Sequence, residues 1–328
     1  EASGAVWIPP PAAARAPPER GRLAAGAGGI GGGGMKPVLT LARLLRVKQW
    51  TKNIVVFAAF VFALGDRNQN LAAWELWKVC LAALAFSLVS SAVYIFNDLR
   101  DAPQDRLHPL KKQRPIAAGE VGTAFAGGVA AVLLAMGLGG AWRLDAGLLV
   151  VVGGYLLLQV VYTLWLKRIA LVDVIVISLG FVLRALAGAV VIHVVISPWL
   201  LLCAMLLALF LGLCKRRHEK VNLEGLGTRV ALDGYNEELL DMLITMMGAS
   251  TLVCYSIYTL WPDTIAKFGT PWLGATIPFV VFGLFRYMDI VYRQEKGDRP
   301  EQILLTDLPL MADVAFYGAT VLGILLLR

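Results

Sequence analysis

Four oxygen-bearing side chains stand close together just behind an apolar run: Asn97, Asp98, Asp101 and Asp105, within Asn97-Asp98-Leu99-Arg100-Asp101-Ala102-Pro103-Gln104-Asp105. The acids are spaced i, i+3 and i+7, and Asn97 and Asp101 are i, i+4, so a helix would carry all four on one face. Carboxylates crowded in this way repel one another unless a cation neutralises them. Carboxylate and amide oxygens are hard ligands that suit Mg2+, which bridges a few carboxylates to substrate phosphates and keeps several waters. The row reads as a metal site formed by Asn97, Asp98, Asp101 and Asp105, with the three aspartates as the catalytic set for a pyrophosphate substrate. The alternative is an ordinary acidic helix end in water. Pro103 could distort the turn, although proline near a helix end is tolerated.

A basic run follows, and Lys111 and Arg114 are the members favoured as ligands of phosphate oxygens. Plain topological anchoring is the competing reading. Two further clusters could face the same cavity: Tyr162, Lys167 and Asp173, and the run Lys215-Arg216-Arg217-His218-Glu219. Each alone reads as topology; with the acidic row they would ring one mouth of a bundle. Arg184 sits inside an apolar stretch, where a charge is expensive; such residues usually face a cavity or a partner, and a structural pair with a buried acid is the alternative to a functional role. His193 reads as structural.

The elements that must position these groups are legible in bulk. The chain has 328 residues, 58% hydrophobic and 16% charged, with mean hydropathy +0.69. A soluble domain is nearer about 25% charged. Nine apolar segments run near 53–65, 73–96, 121–142, 145–166, 170–192, 197–214, 238–261, 272–292 and 303–327. The expected fold is all-α: a polytopic membrane helical bundle of about nine transmembrane helices. Residues 35–328 would form one transmembrane domain starting at Met35. Residues 1–34, rich in Ala, Pro and Gly, are expected to be a disordered extension.

The net charge of +7 clusters in alternate loops, at Lys36, Arg43, Arg46, Lys48 and Lys52, then Arg100 to Arg114, Lys167 and Arg168, Lys215 to Arg229, and Arg293, Lys296 and Arg299. That is the positive-inside pattern. It places the acidic row at the cytoplasmic face of the cytoplasmic (inner) membrane and Arg328 outside, and because the basic residues cluster between apolar blocks instead of covering a soluble surface, nucleic acid is not an expected partner. Cys80, Cys203, Cys214 and Cys254 form no CxxC pair and read as small buried packing groups. Gly127-Gly128, Gly137, Gly139, Gly140 and Gly153-Gly154 read as sites of close helix contact.

The run Asn97-Asp98-x-x-Asp101-x-x-x-Asp105, then His108-Pro109 and Arg114-Pro115-Ile116-Ala117-Ala118-Gly119, resembles the first aspartate-rich motif of the UbiA prenyltransferase superfamily. Three segments resemble its phosphoribosyl-transferring branch: Arg46 to Asn53, Leu166-Lys167 with Val172-Asp173, and Lys215-Arg216 with Glu219. Ordinary members carry a second DxxxD motif, and here that place is cationic. The nearby Glu237 and Asp241 read more simply as capping a helix behind Asn236.

The resemblance implies a UbiA-like bundle with Mg2+ on the acidic row. It implies transfer of phosphoribose from phosphoribosyl pyrophosphate to a polyprenyl phosphate lipid, with Lys48, Lys52, Asn53, Lys111, Arg114, Tyr162, Lys167, Asp173, Arg184, Lys215, Arg216 and Glu219 as the substrate-binding set. A homo-oligomer is left open. Prenyl transfer from a prenyl pyrophosphate to a small acceptor is the alternative, and a transporter or flippase the third reading.

Overall fold

The structure, a computed structural model, describes residues 35–69, 71–109, 111–223, 230–294, 297 and 300–326. The expected extension 1–34, the loop charges Arg229, Lys296 and Arg299, and Arg328 lie outside the described residues. Among those described, every regular element is helical. A short α1 (Met35–Leu44) precedes α2 (Val47–Leu64), which opens in 3-10 geometry. Then come α3 (Leu76–Leu107), α4 (Thr123–Leu144), α5 (Ala146–Leu164), α6 (Val172–Val191) and α7 (Pro198–Leu223). The chain continues with α8 (Glu237–Leu260), the short α9 (Pro262–Phe268), α10 (Ile277–Arg293), the short α11 (Pro300–Thr306) and α12 (Leu308–Leu326). Nine of these helices, α2 to α8, α10 and α12, are long and apolar enough to cross a membrane.

Helix length places the acidic row. The 32 residues of α3 span about 48 Å at 1.5 Å per residue, against about 30 Å of bilayer hydrocarbon. The last turns must therefore project beyond the apolar slab, and they carry Asn97 to Asp105. Pro103 lies inside α3 without ending it. The 26-residue α7 is also longer than the roughly 20 residues a crossing needs, and its C-terminal end carries Lys215 to Glu219.

Successive helices pack on one another, and α12 closes back onto α2. One apolar cluster joins α2, α3, α5 and α6 through Val56, Phe86, Leu148, Val152, Tyr155 and Ala187. A second joins α6, α7, α8 and α10 through Val174, Phe210, Ile244, Leu284 and Ile290. Backbone approach is tightest where α6 crosses α2: a Cβ on Gly188 would overlap the Val56 carbonyl oxygen. Only one of the glycines expected at close contacts is at one. A Cβ on Gly137 would press on Val89 and the Ala85 carbonyl, whereas Gly127, Gly128, Gly139, Gly140, Gly153 and Gly154 have nothing within 4 Å of that position. They lie on stretches of α4 and α5 that no neighbouring helix covers closely.

The cysteines also divide. Cys214 and Cys254 are buried, Cys203 is half-buried with its Sγ 3.4 Å from that of Cys254, and Cys80 is exposed on the bundle surface rather than packed inside.

Gly188→Ala is expected to destabilise the detergent-solubilised protein by at least about 1–3 kcal/mol, the usual cost of overpacking. Gly154→Ala should leave stability unchanged or slightly raised, since it meets open space and favours helix. Thermal unfolding midpoints of the two variants check this.

Candidate active site

The acidic row is held by cations from three other parts of the chain. Lys167 Nζ lies 2.6 and 2.9 Å from the two carboxylate oxygens of Asp101 and 3.2 Å from Asn97 Oδ1. Arg114 Nη1 donates to Asp98 Oδ1 at 3.0 Å and to Asp105 Oδ2 at 2.7 Å. Arg46 Nη2 reaches the same Asp98 oxygen at 2.5 Å, with its guanidinium 5.0 Å over the Tyr94 ring. Charge-assisted bonds of this kind are the strong ones, more so away from bulk water.

The row thus resolves into two pairs on one helix face. Asn97 and Asp101 meet Lys167; Asp98 and Asp105 meet Arg114. The four expected metal ligands do not converge on one point. Among the described residues no group of three or more His, Cys, Asp or Glu side chains is arranged to hold a metal ion. Helical geometry explains the split, because at 3.6 residues per turn Asp98 and Asp105 nearly superpose while Asn97 and Asp101 lie about 40–100° round the axis from them. The side chains of Asp98 and Asp105 are each 5% exposed, and that of Asp101 is 23% exposed. The accessible oxygens are therefore those of Asn97 and Asp101. An amide and a carboxylate already gathered around one cationic atom are a donor set that suits Mg2+ completed by waters and phosphate.

Local sequence explains how the cations arrive. After α3 the chain turns back through Arg114 to Gly119, with Ala118 N–H donating to Arg114 O at 2.8 Å and Gly119 N–H to Ile116 O at 3.2 Å. Gly119 has φ +74°, a conformation that suits glycine. Ile116 and Ala117 are buried, Ile116 in an apolar cluster with Leu44, Ala92 and Ile95, so Arg114 is returned to the helix it follows. His108 is buried, and its Nδ1 accepts from the Lys111 N–H at 3.3 Å. Desolvation, then the Lys111 charge, holds its imidazole below the ordinary pKa, consistent with a neutral ring protonated at Nε2. Arg46 itself has φ 50° and ψ 46°, a left-handed conformation unusual for arginine, and Trp50 beside it donates to Ser91 Oγ at 3.0 Å.

Lys167 lies on the 3-10 turn Leu166–Arg168 between α5 and α6. That connection ends in a strained turn. Leu171 has φ 66° and ψ −46°, and Val172 N–H donates to Ala170 O at 2.8 Å, a γ-turn of the rare positive-φ kind. Tyr235 latches it: its hydroxyl accepts from Leu171 N–H at 2.6 Å and donates to Asp173 Oδ1 at 2.8 Å. Burial and the Asp173 charge push the Tyr235 phenol up. Arg216 Nε donates to Asp173 Oδ2 at 2.7 Å, and its Nη1 meets Glu219. The side chains of Arg216 and Asp173 are 2% and 0% exposed.

The structure divides the expected substrate-binding residues. Arg114 and Lys167 touch the acidic row. Lys111, Tyr162 and Lys215 are half-buried in the same end of the bundle; Lys48 is exposed and Lys52 half-buried at the start of α2. Arg216, Asp173 and Glu219 form an ion-paired scaffold behind the row. Asn53 and Arg184 lie deeper still. Arg184 Nε donates to Asn53 Oδ1 at 2.7 Å, Nη1 to Gly180 O at 2.8 Å and Nη2 to Tyr155 OH at 3.2 Å, with its guanidinium stacked near Phe86, Tyr155 and Phe181. Its partners are an amide, a carbonyl and a phenol rather than a buried acid.

The roles of three groups were not assigned from the sequence. Arg46 carries no signal in its spacing to the motif. Tyr235 lies in a polar stretch. Asp241 does not cap α8 as expected: Asn236 caps it, accepting from Leu239 N–H at 2.7 Å, while Asp241 accepts from Arg217 Nε at 2.6 Å and Tyr292 OH at 2.8 Å, bracing α7, α8 and α10.

Comparison with known proteins gives this geometry a family. The model of the UbiA prenyltransferase family matches residues 54–306. A decaprenyl-phosphate phosphoribosyltransferase of Mycobacterium tuberculosis is 36% identical over 290 residues, covering 87% of this chain and 95% of that protein. One from Corynebacterium glutamicum is 34% identical over 275 residues, covering 81% of each. Among solved structures, a UbiA homolog from Archaeoglobus fulgidus bound to GPP and Mg2+ superposes with TM-score 0.66 at 20% identity, over 87% of this chain and 99% of that one. The chain is an integral membrane transferase, and it belongs to the UbiA prenyltransferase family.

Proposed function

We propose that the protein transfers 5-phosphoribose from phosphoribosyl pyrophosphate to a polyprenyl phosphate, releasing pyrophosphate, at the cytoplasmic face of the cytoplasmic membrane. The observation that carries this reading is the similarity to decaprenyl-phosphate phosphoribosyltransferases along nearly the whole length of the tuberculosis protein. The product would be a lipid-linked pentose phosphate, a precursor for cell-envelope arabinan.

The chemistry of the rim supports the same reading. Asn97 and Asp101 would hold Mg2+, which when bound supplies charge neutralisation for the departing pyrophosphate. Asp98 and Asp105 are committed to Arg46 and Arg114, so their part is to hold two guanidinium groups at the rim. Lys167, Lys111, Lys215 and the free edges of Arg114 offer donors for phosphate oxygens. A donor with a pyrophosphate and a second phosphate on the same sugar matches a rim where lysines and arginines flank the acids. The lipid phosphate needs no strong base, being already ionised near neutral pH. It attacks C1 of the ribose as the C1–O bond to pyrophosphate breaks, and the protein's part is to align the two and stabilise the leaving charge. The Arg216–Asp173–Tyr235 assembly fixes the backbone that carries Lys167.

Two variants separate chemistry from scaffold. Asp101→Ala should reduce transfer of labelled phosphoribose to polyprenyl phosphate by at least about 10²-fold, with a thermal midpoint near that of the wild type. Wild-type turnover with geranyl pyrophosphate and a small acceptor, but none with phosphoribosyl pyrophosphate, would overturn the assignment in favour of prenyl transfer. Asp173→Ala strands a buried guanidinium and should cost about 3–5 kcal/mol of stability, lowering the unfolding midpoint along with activity.

A further inference from the structure

The acidic row is matched by the chain's own cations. Asp98, Asp101 and Asp105 face Arg46, Arg114 and Lys167, three carboxylates against three cations, each in direct contact. A bare divalent cation entering at Asn97 and Asp101 would have to expel the Lys167 ammonium and leave it without a partner. We propose that Lys167 is an intramolecular stand-in for the divalent cation: it holds the Asn97 and Asp101 oxygens in the resting protein and yields them only when metal arrives with pyrophosphate. The proposal rests on the functional reading above. The incoming diphosphate brings the negative charge that gives the displaced ammonium its new partner, so metal and donor bind together rather than in turn.

Three observations favour Lys167 as the moving group. Its Nζ is within 2.6–3.2 Å of the same three oxygens offered to a metal. Asp101 is the most accessible of the acids, at 23% side-chain exposure against 5% for Asp98 and Asp105. Lysine is a point charge on a flexible stem, whereas Arg114 bridges two buried carboxylates with a planar group and has more to lose by leaving. The backbone beneath Lys167 is the fixed part, since Tyr235 pins Leu171 and Asp173. Side-chain rotation is then enough to vacate the oxygens.

The test is Mn2+ binding to the purified full-length protein, read by electron paramagnetic resonance, with and without pyrophosphate. In the absence of pyrophosphate, Lys167→Met and Lys167→Gln should bind Mn2+ about tenfold more tightly than wild type, within the usual range for coupled sites. Adding pyrophosphate should tighten Mn2+ binding strongly in wild type and much less in either variant, because the linkage is reciprocal. The gain must vanish in the double variant Lys167→Met with Asp101→Ala. Folded Lys167 variants that bind Mn2+ no tighter than wild type, or a gain that survives loss of Asp101, would overturn the stand-in role. Should the Mn2+ gain appear while wild type transfers no phosphoribose, the functional reading fails and the stand-in role survives.

Discussion

Opposite charges brought together from distant parts of the chain are the constraint on which this site rests. Three aspartates within eight residues would repel one another at the edge of a low-dielectric slab. They are tolerable because Arg46 comes from before α2, Arg114 from the turn after α3 and Lys167 from the connection of α5 to α6. The same pairing decides what the row can bind. Carboxylates already matched by cations have little attraction left for a free divalent ion, and cations already matched by carboxylates have little for a free anion. A metal and a polyphosphate arriving together can exchange partners with both sets at once.

Holding that arrangement takes polar scaffolding at two depths. Directly behind the rim, Asp173 takes Arg216 and Tyr235, and Tyr235 secures a leucine in a turn that its side chain disfavours. Deeper in the bundle, Arg184 is buried among an amide, a carbonyl, a phenol and three aromatic faces. A guanidinium is the cation suited to this, with five fixed donors and a planar face for stacking. It ties α2, α5 and α6 together close to where Gly188 lets the α2 backbone approach. The overhang of α3 completes the design, since a helix ending at the hydrocarbon boundary would leave Asp101 and Asp105 with no helix to stand on.

The position of the family's second aspartate motif is instructive. In this chain the end of α7 carries Lys215 to Glu219, and Arg216 spends its charge on Asp173 and Glu219 inside the protein. Arg217 spends its own on Asp241, over the ring of Tyr292. A cationic run therefore need not be a phosphate site. Part of it faces inward and stiffens the contact of α7 with α6, α8 and α10.

Much was readable from residue order alone. The nine crossings follow from hydrophobic length, and the acidic row and its helical face from i, i+3, i+4 and i+7 spacing, because both depend on local chain geometry. Arg114 was visible because it lies nine residues beyond Asp105 and a tight turn returns it. What tertiary structure decided was the pairing. Arg46, 52 residues before Asp98, and Tyr235, 64 residues beyond Leu171, carry no periodic signal. Neither does the choice of which cation meets each pair of acids, nor which arginines turn inward. Glycines looked alike in sequence, yet only Gly137 among those expected proved tight, since packing depends on which face a neighbouring helix covers. Local spacing fixes what one helix presents. Which distant charge meets it is settled only when the helices pack.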